Sequence, residues 1–172
     1  MPAPSTTGQP IMLFMRVAPP WVVIDEIRRF VASFCASACP GTERDEHLAL
    51  AVHELIQNAV ACSSSEPVEL SLVVDPTADR VSLEVTNVCT AEQAAELRAR
   101  IEAMHREPDA LRHYLATMAG ASPAKRGGLG LARIRFEAQL ELQILPGPGR
   151  VTVRASGKLV PPYSSESRVS HA

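Results

Sequence analysis

The sequence predicts an α/β fold, a two-layer sandwich in which helices cover one face of a single sheet. Three observations carry this. Segments 20–38 and 42–62 repeat apolar residues at helical spacing. Two pairs of alternating segments are each joined by turn-forming residues, and a further helical run opens on glycines between those pairs. At 172 residues the chain suits one domain with a sizeable core.

Residues 1–9 are rich in Pro, Ser and Thr and are expected to be disordered, with the domain spanning 10–157. IMLFMRV (11–17) reads as a strand. Pro19 and Pro20 suit a helix entry, where a missing N–H costs nothing. Trp21, Ile24, Ile27, Val31, Phe34 and Ala38 then mark one helix face, and Cys39-Pro40-Gly41 stops it. Thr42 is placed to cap the next helix, with Glu43, Asp45 and Glu46 favouring its positive end. VELSLVV (68–74) and VSLEVTNV (81–88) flank Asp75-Pro76-Thr77-Ala78-Asp79 and predict a hairpin. Residues 91–119 are helical in composition, as two helices broken near Pro108. KRGGLGLARIRFEA occupies 125–138. LELQIL (140–145) and RVTVRA (150–155) bracket Pro146-Gly147-Pro148-Gly149 as a second hairpin. The tail, 158–172, is expected to be disordered.

Composition excludes several function classes. Lys+Arg 17 against Asp+Glu 19 leaves a net charge of −2, so no basic field points to nucleic acid. No apolar run approaches the roughly 18 to 20 residues of a membrane span. MPAPSTTGQP lacks the regions of a signal peptide, and a cytoplasmic protein is the expectation. Cys35, Cys39, Cys62 and Cys89 form no CxxC pair and have no histidine cluster beside them, so they read as reduced thiols rather than a metal site.

Chemistry concentrates in HLALAVHELIQNAVAC. At about 100° per residue, Leu48, Ala51, Val52, Leu55, Ala59 and Cys62 form a core stripe. Glu54 and Asn58 stack one turn apart on its margin, with His47 on the same side. A carboxylate and an amide there are either a solvated polar edge or groups for a ligand, the amide oxygen on a metal and the carboxylate as a base. Two other motifs fail on spacing: His-Glu-x-x-His needs a histidine where Gln57 stands, and a histidine-kinase phosphoacceptor helix continues differently after His-Glu-Leu. His53 lies across the helix from Asn58 and reads as a structural or surface residue.

Gly127, Gly128 and Gly130 precede the periodic run Leu131, Ile134, Ala138, with Lys125 and Arg126 just upstream. Glycines opening a helix either serve a tight turn with close packing or let a phosphate approach the backbone N–H groups. Neither a P-loop nor a Rossmann fingerprint is present.

Taken together, E-x-x-x-N at Glu54 and Asn58, in ELIQNAV, and Gly128-Leu129-Gly130-Leu131 farther on resemble the N-box and second glycine box of the Bergerat fold. That is the ATP-binding domain of gyrase B, Hsp90, MutL and histidine kinases. The likeness covers about 10–157, nearly the whole chain. It implies a mixed sheet with helices on one face and a helical lid over about 91–126. A strand and helix before the N-box look like the anti-sigma-factor serine kinases. Those kinases carry Asp-x-Gly-x-Gly after the central strand, where this chain has Asn87-Val88-Cys89-Thr90-Ala91. Strand parity puts Asn87 on the face of Val81, Leu83 and Val85, where its amide oxygen could accept from adenine, while Cys89 and Ala91 replace the two glycines. A strand ending in Asn and a GGLGL box are similar to the SiaB-type kinase-like family, whose members phosphorylate a small partner protein.

The resemblance implies ATP and Mg²⁺ as cofactors. Asn58 would hold Mg²⁺ through the bound nucleotide. Asn87 would meet the base, and Lys125, Arg126, Gly127, Gly128, Leu129, Gly130 and Leu131 would hold the phosphates. Glu54 would orient or deprotonate a Ser or Thr hydroxyl of a regulatory protein partner, either a phosphoacceptor or a sigma factor, and a homodimer is compatible. The competing class is a non-catalytic module of the same fold that sequesters a sigma factor or an antagonist protein.

Overall fold

The computed structural model describes residues 9–18, 21–62, 66–120 and 128–160. The chain runs β1 (Ile11–Val17), a 3-10 turn (Trp21–Val23), α1 (Ile24–Ala38), α2 (Asp45–Cys62), β2 (Val68–Asp75) and β3 (Arg80–Val88). It continues with α3 (Ala91–Arg106), α4 (Ala110–Ala119), α5 (Leu129–Phe136), β4 (Glu141–Gly147) and β5 (Arg150–Lys158). The α/β sandwich expected from the pattern is present. No helix among the described residues is long and apolar enough to cross a membrane.

The sheet has the order β1-β2-β3-β5-β4, and all of its pairings are antiparallel. This corrects the expected mixed sheet. The reason lies in α1 and α2, which run antiparallel: Arg28 meets Glu46 at 3.4 Å while Asp25 lies 3.5 Å from His53. Two antiparallel helices return the chain to the end of the sheet where β1 finished, so β2 must run the other way. A parallel neighbour would need a crossover to the opposite end.

Alternation places Leu70, Leu72 and Val74 of β2, Val81, Leu83 and Val85 of β3, and Val151, Val153 and Ala155 of β5 on the buried face. Each fully buried aliphatic side chain contributes about 1.5–3 kcal/mol. The α2 stripe behaves as expected at Leu48, Ala51, Val52, Leu55 and Ala59. Ala49, Leu50, Ile56 and Val60 are buried as well, so α2 is covered on a second side, where α1 packs. The strip of α2 left at the surface is correspondingly narrow.

Thr42 does not cap α2. Its Oγ1 donates to Cys39 O at 2.8 Å, closing the turn after α1, and α2 starts at Asp45. Arg44, just before α2, is 1 % exposed, and its Nη1 donates to Ala138 O at 2.8 Å. Burial lowers its pKa, while the charge of Asp79 works the other way. That bond ties the entry of α2 to the exit of α5.

The segment expected as a lid divides into unlike halves. Thr90 and Gln93 form a capping box that starts α3, and Ile101 and Met104 sink into the core. Arg135 of α5 donates to the carbonyls of Met104, Glu107 and Pro108, fastening the end of α3. No residue of α4 is buried, and Tyr114 leans on Phe136 with ring centroids 5.3 Å apart. Residues 121–126 of the expected lid lie outside the described residues. At the other end the fold continues past 157: Lys158 closes β5, Leu159 is buried, and Val160 N donates to Asp79 Oδ1.

Candidate functional site

A cavity of about 270 Å³ opens between the second half of α2, the ends of β3 and β5, and α3. Its floor is apolar, made by Val85, Val151 and Val153, and Leu131 of α5 closes one side. Polar groups enter from three elements: Asn58 from α2, Asn87 from β3, and Gln93, Glu96 and Arg100 from α3. An apolar slot with a few convergent polar groups is the usual form of a small-molecule site.

Asn87 is 4 % exposed on the inner face of β3, as strand parity predicts. Its Nδ2 donates to Val88 O at 3.0 Å. That bond orients the amide, and Oδ1 is left as the acceptor of a side chain that lines the cavity. Asn58 also lines the cavity, and its Nδ2 is buried with no hydrogen-bond partner among the described residues. A buried amide without a partner costs roughly 1–3 kcal/mol, which a ligand that satisfies it would recover.

Glu54 has a different setting. Its side chain is 12 % exposed, and Oε1 accepts from Arg133 Nη1 at 2.7 Å. Arg133 also grips Glu137, through Nε at 3.0 Å and Nη2 at 3.3 Å. Glu137's hydrogen bond, then the charges of Glu137 and Glu54, hold the Arg133 guanidinium above its ordinary pKa despite burial. The other oxygen of Glu54 lies against Gly130, where a Cβ would overlap Oε2 and stand 3.2 Å from Cδ. Glu54 thus fastens α2 to α5 beside the cavity and does not line it.

The two described glycines of the box answer separate needs. Gly128 precedes α5 with φ +112°, a conformation that side chains disfavour. Gly130 lets α5 approach Glu54. Gly130→Ala should therefore lower stability by about 1–3 kcal/mol, as overpacking does, although alanine favours a helix by about 1 kcal/mol. A urea titration checks this, and a gain in stability would mean Glu54 moves aside at no cost.

The structure brings Asn58, Asn87 and Leu131 together on the cavity, with Glu54 and Gly130 in mutual contact next to it. Leu129 is half-buried in the first turn of α5. Lys125, Arg126 and Gly127 lie outside the described residues. His47 is exposed, its ring near Glu43 O, and does not line the cavity. His53 packs beside Asp25, in keeping with a structural role. Cys62 and Cys89 both line the cavity, and burial pushes both thiols up, so they stay neutral. Ala91, which stands where the second glycine would be, is exposed at the start of α3 and off the cavity.

Sequence reasoning missed Arg133, Gln93, Glu96 and Arg100. For Arg133 a signal existed, because Arg133 and Glu137 sit one turn apart immediately after the glycines. Among the described residues no group of three or more His, Cys, Asp or Glu is placed to hold a metal ion. A cation at Asn58 would need oxygen ligands from a bound molecule to complete its shell, as Mg²⁺ takes from phosphates.

No protein-family model and no curated protein sequence matches this chain. Among solved structures, it is similar to a chain of the SiaB–SiaC complex from Pseudomonas aeruginosa, with a TM-score of 0.62 and 14% sequence identity. The match covers 84% of this chain and 88% of that one, so nearly the whole domain shares its fold with that chain.

Proposed function

We propose that this protein is a cytoplasmic partner-switching regulator that binds Mg-ATP in the α2–α3 cavity and transfers phosphate to a Ser or Thr of a protein partner. The observation that carries the reading is the placement of Asn58 and Asn87, from two separate elements, on one cavity of apolar floor. In it, Asn87 Oδ1 accepts from the amino group of the base, and Val85, Val151 and Val153 pack on its ring. Asn58 turns its amide oxygen to a Mg²⁺ that neutralises charge on the phosphate oxygens. Lys125, Arg126 and the backbone at 127–131 hold the phosphate chain, and the first N–H groups of α5 suit that charge. Glu54 takes the proton of the attacking hydroxyl through Oε2, the oxygen not bonded to Arg133, as the hydroxyl oxygen bonds the γ-phosphorus and ADP leaves with the oxygen of the broken bond. Positioning and charge neutralisation are most of what phosphoryl transfer requires.

A protein partner is supported by the neighbour, which was solved as a complex of two different proteins. One observation favours a second reading, a non-catalytic module that binds and releases a partner. Arg133 already holds Glu54 in an ion pair, so one of its two oxygens is engaged within the fold and not turned to a partner hydroxyl. Incubating the protein and its co-purifying partners with γ-labelled ATP separates the two. Label on a Ser or Thr of a partner supports the kinase. Nucleotide binding with every partner unlabelled leaves the module, and no binding at all ends the nucleotide site.

A further inference from the structure

A second cavity, of about 210 Å³, adjoins the first. It reaches Gly128 at the start of α5 and is lined also by Met104, His113 and Thr117. The two cavities share only Arg100 and Leu131. Arg100 is the one Lys or Arg among the described residues lining either space. It projects from α3, its side chain 36% exposed, and its ion-pair partner is Glu96, one turn earlier on the same helix and 63% exposed. An exposed pair of this kind is held by little, so the guanidinium can exchange Glu96 for a stronger anion.

We infer that Arg100 binds the phosphate chain of the ligand whose base occupies the first cavity, an inference that rests on the nucleotide reading. The phosphates would leave the apolar slot beside Asn58, pass between Arg100 and Leu131, and end near Gly128. Their path is otherwise poor in cations along the described residues. His113 does not supply charge, since burial, with Arg135 adding to it, lowers its pKa against the opposing charge of Glu107. Arginine suits this place because its planar fork can bridge two phosphate oxygens while its stem covers the apolar wall. The residue lies on α3, which Ile101, Met104 and the Arg135 bonds hold in place, so the cation is presented from a fixed helix.

The test is a binding series of adenosine, Mg-ADP and Mg-ATP on the full chain and on Arg100→Gln. Loss of a charge-assisted phosphate contact should weaken ADP and ATP by about 10- to 100-fold, with adenosine changed less than about 3-fold. Wild-type affinity for ADP should also fall with salt more steeply than that of Arg100→Gln. Equal affinity of wild type and Arg100→Gln for all three ligands overturns the inference. So does an equal loss for all three, which would make Arg100 a wall of the base slot. Should Arg100→Gln fail to fold, Arg100→Lys decides. A several-fold loss for ADP and ATP with adenosine unchanged supports the fork, and unchanged ADP and ATP affinity overturns it. Wild type that binds none of the three overturns the nucleotide reading itself, a result separable from any behaviour of the variants.

Discussion

Glu54→Gln is expected to lower phosphate transfer to a partner hydroxyl by about 10² to 10⁴ while Mg-ATP still binds. The substitution keeps the shape and one acceptor oxygen but takes away the group that can receive a proton. Glu54 also ties α2 to α5 through Arg133. A loss of transfer could come from the missing base or from a loosened tie. Arg133→Gln separates these. It breaks the same tie and leaves the carboxylate in place next to Gly130. On the kinase reading Arg133→Gln keeps measurable transfer at a lower melting temperature, whereas Glu54→Gln loses it. Equal loss in both variants would mean that Glu54 acts by holding α5, and that the base lies elsewhere. Initial rates of label transfer at saturating ATP, set beside urea midpoints, give both quantities.

Ile56→Ala is expected to cost about 2–5 kcal/mol, the range for truncating a buried aliphatic side chain. Ile56 is 0% exposed, although it stands off the stripe that faces the sheet. Its burial follows from α2 lying beneath α1 as well as on the sheet. Against a total stability of about 5–15 kcal/mol for a domain, the loss is large. Gln57→Ala, on the neighbouring half-buried position, should stay within about 0.5 kcal/mol. A cost below about 1 kcal/mol at Ile56 would mean that the second side of α2 relaxes freely, against its close packing.

Features with a local cause were legible in the sequence. β1 occupies the short apolar run 11–17 read as a strand, and the parity of β3 places Asn87 on the buried face. The break near Pro108 and the helix opened by Gly128 also have causes within a few residues. Features with distant causes were not. Strand direction depends on whether two helices return the chain, which no strand reveals by itself. β5 runs on through Ser156-Gly157-Lys158, where alternation fades, and Gly157 is there because a Cβ would come within 2.9 Å of Gln139 O. The helix of Glu54 carries no Lys or Arg to pair with it, and its partner Arg133 is 79 residues away. Arg100 belongs to a polar helix whose composition does not say which of its charges faces a cavity.

The nucleotide site is tested most directly by the melting of wild type and Asn58→Ala with Mg-ADP, with Mg-ATP, and with each nucleotide in EDTA. At 100 times the dissociation constant, Mg-nucleotide should raise the stability of wild type by about 2.7 kcal/mol. EDTA should remove most of that gain. Asn58→Ala should lose the same Mg²⁺-dependent part and, without nucleotide, unfold within about 1 kcal/mol of wild type, since it deletes an amide whose Nδ2 has no partner. No stabilisation of wild type by either nucleotide would contradict a nucleotide site in this cavity, and an Asn58→Ala variant that unfolds outright while its remaining folded fraction binds nucleotide normally would make Asn58 a structural residue.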